Sequence, residues 1–270
     1  MSNCKTIGII SIKGGVGKTT TVINLASSLS KDYGKNVLVV DANFSSPNVG
    51  LHLGSVNHSV TLHDVIKGDI NANKAVHSNE LGFNYIPASL SGTNNLAYNK
   101  LKQKLSSLKK DYDYILLDSS PALNDELGAT INASDELFVV SSPDLPTLST
   151  TLRAVRLAKD KGMQIRGVVL NKVRGKKYEL SPSDMSRLTG VPVVSVLKDN
   201  VKVLEALSHV KPVVVHSPYS PVSLGYKKLA ALISGENYVE PSLLKKIWGY
   251  VIDDFNNFKH HNFSKGFKYY

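Results

Sequence analysis

The run SIKGGVGKTT at residues 11–20 places three glycines, two lysines and two threonines in ten positions. That composition suits phosphate binding. The generic phosphate-loop pattern G-x-x-x-x-G-K-[ST] wants glycine where Ile12 stands, whereas Gly17-Lys18-Thr19 fits its second half letter by letter. Gly14, Gly15 and Gly17 carry no side chain, so the backbone around Val16 can wrap phosphate oxygens. Lys18 is placed to bridge terminal phosphates and the Thr19 hydroxyl to ligate Mg²⁺, with Thr20 following at the start of a helix. Lys13 has no role in the generic pattern. Two acids end apolar runs and are candidates for the metal: Asp41 after residues 37–40 and Asp118 after residues 114–117. A carboxylate at such a strand tip can hold Mg²⁺ directly or through water, and the following Ser119-Ser120-Pro121 turn can respond to a γ-phosphate.

These residues need strands and helices to bring them together. Short runs rich in Val and Ile recur at residues 6–10, 37–40, 114–117, 137–140, 165–170 and 191–196, with helical character between most of them. The alternation predicts βαβ units: an α/β fold with a mainly parallel twisted sheet and helices on both faces. Residues 6–10 read as a strand and 19–30 as a helix, so the glycine-rich run lies between a strand's carboxyl end and a helix's amino end. Unpaired backbone N–H groups and the helix dipole favour an anion there. One domain is expected over residues 1–234, ending after a helix at 224–233, with an extension at 235–270.

KGGVGKTT resembles the deviant Walker A motif of the MinD/ParA family of P-loop ATPases, in which a signature lysine precedes the glycines. The resemblance covers most of residues 5–233. VLVVDANFSSPNVGLHLG resembles the family's first switch segment, YDYILLDSSPALNDE its Walker B strand and second switch, and GVVLNKV its base-binding strand end. The MinD-like, archaeal-type branch is the nearest in character. The resemblance implies that Lys13 is the signature lysine, reaching across an ATP-bound homodimer to the partner's phosphates. Facing triphosphates repel unless cations lie between them, and a lysine supplied in trans stabilises charge on the transferring phosphoryl group.

The first switch departs from the family's Asp-x-Asp. Here it reads Asp41-Ala42-Asn43, and the second acid is the one that positions the attacking water in relatives. An amide oxygen accepts a hydrogen bond but is a poor proton acceptor, so hydrolysis is expected to be slow unless Asp41 takes over. Asn43→Asp is expected to raise it. For the base, guanine is commonly read by Asn-Lys-x-Asp, but this chain has Asn171-Lys172-Val173-Arg174. Arginine offers only donors, so adenine is favoured, with Asn171 contacting it as in relatives. VSVLKDNVKVLEA resembles the family's second base-side loop, with Lys198 for its usual proline and Asn200 for its aspartate.

Bulk properties restrict the classes of function. The chain has 270 residues, a net charge of +10 and one cysteine, Cys4. A lone cysteine cannot close an intramolecular disulfide or supply a Cys-x-x-Cys cluster site, which argues against the iron–sulfur relatives, and no run of about 18 apolar residues would span a membrane. A cytoplasmic protein is expected. Lys100, Lys102, Lys104, Lys109 and Lys110 alternate with Leu101, Leu105 and Leu108 as on an amphipathic helix. A second basic group is Lys172, Arg174, Lys176 and Lys177. At residues 241–259, Leu244, Ile247, Trp248, Val251, Ile252, Phe255 and Phe258 fall within an arc of roughly 140° on a helical wheel. This segment is either a last helix docked on the domain or an interfacial helix that holds a membrane reversibly.

The expected function is a MinD-like ATP-dependent switch that positions division or other cellular machinery. It would dimerise on ATP, associate peripherally with the inner face of the cell membrane, and respond to an activating or adaptor protein. The alternatives are a ParA-like partitioning ATPase whose lysines hold DNA, and a nucleotide sensor that hydrolyses poorly.

Overall fold

The computed structural model describes residues 4–68, 70–91 and 96–242. Eight strands form one sheet: β1 Lys5–Ile10, β2 Val37–Ala42, β3 His77–Ser78, β4 Asn84–Ile86, β5 Tyr114–Ser119, β6 Glu136–Ser141, β7 Ile165–Val173 and β8 Val193–Lys198. Their order is β3-β4-β2-β5-β1-β6-β7-β8, parallel throughout except for the short β3–β4 pair. The helices are α1 Lys18–Lys31, α2 Val49–His52, α3 Leu62–Lys67, α4 Leu101–Leu105, α5 Asp125–Ala133, α6 Leu145–Asp160, α7 Pro182–Thr189, α8 Lys202–Ser208, α9 Val213–His216 and α10 Pro221–Ser234.

The apolar runs are continuous because the central strands are covered on both faces, so successive side chains all find a core. On one face Ile7, Ile9, Val37, Val39 and Leu116 pack against α1 and α10 through Val22, Leu25, Leu29, Tyr226 and Leu229. On the other, Leu38, Val40, Ile115 and Leu117 meet α3, α4 and α5 through Leu62, Ile66, Leu101, Leu105 and Ala133. The lysine-rich amphipathic stretch forms as read, with Leu101, Leu105 and Leu108 buried. It is α-helical only to Leu105 and continues as a 3₁₀ turn over Ser106–Lys110.

All six strands expected from the apolar runs are present, and β8 begins two residues late. Pro192 has no N–H for the ladder, and its carbonyl instead accepts from the Val168 N–H at 2.8 Å, so pairing starts at Val193. The C-terminal helix expected at 241–259 lies, from residue 243 onward, outside the described residues. Of the extension, Glu236 pairs with Lys35 at 2.8 Å and Glu240 with Lys228 at 2.9 Å. No helix among the described residues is long and apolar enough to cross a membrane.

Candidate functional site

The glycine-rich loop joins β1 to α1 at the carboxyl edge of the parallel sheet, where an open α/β sheet binds its ligands. Gly15 (φ 76°) and Gly17 (φ 95°) occupy the left-handed region. A Cβ on Gly17 would lie 2.4 Å from Asn171 Nδ2, so this position requires glycine on two counts. Gly17 caps α1 without any side-chain acceptor. The other four helices of eight residues or more start on a side chain that accepts from the first turn: Asn124, Asp144, Ser181 and Ser220. The orphan N–H groups of α1 are therefore left for an anion.

Behind that helix end, the Thr19 hydroxyl donates to Asp118 Oδ2 at 2.5 Å, while Asp118 Oδ1 is buried with no hydrogen-bond partner among the described residues. Asp118, the penultimate residue of β5, lies directly beside Asp41 on β2. Both carboxyls are pushed up from the ordinary carboxylate range. For Asp41 burial is the main cause and the Asp118 charge adds to it, opposed by the Val49, Asn48 and Asn43 amides. For Asp118 burial outweighs the Thr19 hydroxyl and the Lys18 ammonium, which both favour the ionised form. Lys18 is itself buried, which lowers its affinity for its proton, and Asp118 works against that loss. Two neighbouring buried acids, an orphaned carboxylate oxygen and a hydroxyl fit a divalent cation next to phosphates.

Asp41 has a structural task as well. Its Oδ2 accepts from the Asn48 and Val49 N–H groups, each at 2.9 Å, and its Oδ1 from the Asn43 N–H at 3.3 Å. It thus clamps the whole turn of residues 43–49. Asn43 is buried, its Nδ2 donates to the Ser46 carbonyl, and its Oδ1 has no partner among the described residues. That oxygen is the free acceptor a positioned water would need.

Lys13, partly exposed, folds back on its own chain. Its Nζ donates to Thr147 Oγ1 at 2.7 Å and approaches Asp144 Oδ1 at 3.4 Å, both at the start of α6. Asn171, near the carboxyl end of β7, bonds to the loop: Nδ2 donates to the Val16 carbonyl at 2.8 Å, and Oδ1 accepts from the Lys172 N–H at 2.9 Å. Each of those atoms retains capacity for one further bond. Gly17, Thr20 and Asn171 line a cleft of about 480 Å³ together with Lys198, Asp199, Asn200 and Val201, so residues 198–201 of the VSVLKDNVKVLEA segment share this cleft with the phosphate loop. Arg174, in the place a guanine-reading acid would take, pairs with Asp199 at 2.7 Å.

The structure therefore gathers Gly14 to Thr20, Asp41, Asn43, Asp118 and Asn171 around one edge and keeps Lys13 beside α6. The contacts of four residues escape a reading of the letters alone. Lys172 holds a left-handed backbone (φ 59°) and donates from Nζ to the Gly15 carbonyl at 2.8 Å, bracing the loop from β7. Asp144 and Thr147, which receive Lys13, carry the Asp-x-x-Thr spacing of a helix cap. Glu126 bonds Ser45 across from the first switch.

A family model described as an AAA domain matches residues 4–165. An uncharacterized ATP-binding protein of Methanocaldococcus jannaschii is 32% identical over 242 residues, covering 89% of this chain and 91% of its own. The chain belongs to the MinD/ParA family of ATPases. The chromosome partitioning protein ParA of Caulobacter vibrioides is 33% identical over 248 residues, covering 84% of this chain and 92% of its own. The septum site-determining protein MinD of Pyrococcus horikoshii, solved in complex with Mg-ADP, is 28% identical with a TM-score of 0.80, over 85% of this chain and 96% of that one. The AAA-domain match takes in the phosphate loop, both switch segments and Asp118, while Asn171 and residues 194–206 lie beyond residue 165.

Proposed function

We propose that this chain is a MinD-like ATPase: it binds ATP with Mg²⁺, dimerises on it, hydrolyses it slowly, and so switches a positioning machinery of the cell on and off. The observation that carries this reading is the uncapped amino end of α1, with Lys18 and the Thr19–Asp118 pair directly behind it. Residues 1–234 form the ATPase domain and 235–270 an extension that rests reversibly on a membrane at the cytoplasmic face. A partner protein stimulates turnover.

In this mechanism the N–H groups of residues 14–19 and the Lys18 ammonium bind and orient the phosphates. Thr19 and Asp118, with Asp41 adjacent, would hold the metal, and Mg²⁺ there would supply neutralisation of charge on the phosphoryl group. Asn43 Oδ1 accepts a hydrogen bond from the attacking water and aligns it without taking its proton, which makes the step slow. Lys13 leaves Asp144 and Thr147 and reaches the partner's site in the dimer. Asn171 recognises adenine in the cleft beside Gly17.

The test is sedimentation with anionic liposomes and, separately, with DNA, each with ADP or ATP·Mg²⁺ at two salt concentrations. Liposome binding that requires ATP and is lost on removing residues 241–270 supports this reading. The ParA relative and the +10 charge favour a second reading, a partitioning ATPase. ATP-dependent binding to DNA alone, falling steeply with salt, would replace the first reading with the second.

A further inference from the structure

A single buried acid joins the two switch segments. Glu126 lies in the first turn of α5, eight positions after Asp118, and is 3% exposed. Its Oε2 accepts from the Ser45 N–H at 3.2 Å, and its Oε1 accepts from the Ser45 hydroxyl. No ion pair to Glu126 occurs among the described residues. A buried carboxylate without a cation is costly and persists where its hydrogen bonds satisfy it. Here both of those bonds come from one residue of the first switch.

The two ends of this connection are in the site. Ser45 is two residues past Asn43, in the turn whose base Asp41 clamps through the Asn43, Asn48 and Val49 amides. On the other side, Asn124 caps α5, accepting from the Leu127 N–H at 3.1 Å, and its Nδ2 reaches Ser120 Oγ at 3.4 Å. Ser120 is two residues past Asp118. Hydrogen bonds thus run from the Asp118 turn through α5 to the Asn43 turn.

We propose that Glu126 is a positioning residue that couples the two switch segments, so that the Asp118 turn and the Asn43 turn respond to nucleotide as one unit. The proposal rests on reading the site as an ATPase. Its importance follows from the carboxamide at position 43. A carboxylate base gains rate from its proton affinity, whereas Asn43 contributes only by where it holds the water, so errors of placement are not offset by basicity.

The test compares Glu126→Gln, Ser45→Ala and the double variant with the wild-type full-length protein, after circular dichroism has established folding. Ser45→Ala keeps the backbone bond and serves as the milder probe if Glu126→Gln does not fold. With Mg-ATP affinity held within about threefold, single-turnover hydrolysis should fall about tenfold in Glu126→Gln, and the double variant should be no slower. Amide exchange at Ser45, measured without nucleotide, should be about tenfold faster in Glu126→Gln. Additive rate losses, affinity falling in step with rate, or unchanged exchange at Ser45 would each overturn the proposal. A wild-type protein that neither binds nor hydrolyses ATP would refute the ATPase reading instead, and the exchange measurement would still decide whether the tether exists.

Discussion

Replacing Gly17 with alanine tests the geometry of the phosphate loop where the structure is most specific about it. The residue sits at φ 95°, and an added Cβ would come within 2.4 Å of Asn171 Nδ2. Holding an L-residue in the left-handed region costs about 1–2 kcal/mol. Displacing Asn171 breaks its 2.8 Å bond to the Val16 carbonyl, and leaving those polar groups unpaired adds about 1–3 kcal/mol. The total is roughly 2–5 kcal/mol, and it must appear in one of two measurements. If the loop keeps its shape, the melting temperature falls by about 2–4 °C for each kcal/mol. If the loop relaxes instead, the cost moves to nucleotide binding, where 2 kcal/mol corresponds to about a 30-fold weaker Kd. Differential scanning fluorimetry and titration with a fluorescent ATP analogue read the two together. Gly14→Ala is the internal control for stability, because its Cβ meets nothing within 4 Å. Wild-type melting and wild-type affinity in Gly17→Ala, or equal destabilisation by Gly14→Ala, would refute the reasoning.

Two further outcomes follow from the same structure. Asn43→Asp should raise single-turnover hydrolysis at saturating ATP by supplying a proton acceptor. It should also lower the melting temperature, because the new carboxylate loses the Nδ2 bond to the Ser46 carbonyl and sits near two buried acids; a rate at or below wild type would show that this side chain is not beside the water. Burial lifts the Cys4 thiol to about 11, with the nearby Lys109 charge opposing the shift. The folded protein therefore holds this proton more tightly than the unfolded chain, so the associated stability is complete below the ordinary thiol range and declines as pH rises toward 11. Alkylation of Cys4 in the native protein should accordingly be very slow at neutral pH and rise about tenfold per pH unit, whereas rapid labelling at pH 7 would contradict the burial.

What was legible in the sequence follows from how local each feature is. Strands such as β1, β2 and β5 announce themselves because burial on both faces makes every position apolar, and Gly17-Lys18-Thr19 is contiguous along the chain. The strands β3 and β4, two and three residues long, are too short to establish any period. Asn43 was identifiable as an anomaly by its letter, but its burial and its free Oδ1 come from the Asp41 clamp on residues 43–49. The Lys13 contact with Asp144, the Lys172 brace on Gly15 and the Glu126 bond to Ser45 join residues 131, 157 and 81 positions apart. Such pairs are set by strand order, which brings β7 and α6 to the loop and α5 to the first switch. No spacing rule along one chain encodes them.

The central claim, that Lys13 serves the neighbouring subunit's site, is tested most directly by mixing two inactive variants. Lys13→Ala keeps an intact pocket but has no lysine to lend, and Asp118→Asn has a disabled pocket but an intact Lys13. Each alone should hydrolyse ATP poorly. An equimolar mixture should recover about a quarter of the wild-type rate, since half of randomly paired dimers are mixed and each holds one competent site of two. A mixture as inactive as its components, or a Lys13→Ala protein as active as wild type on its own, would contradict the account.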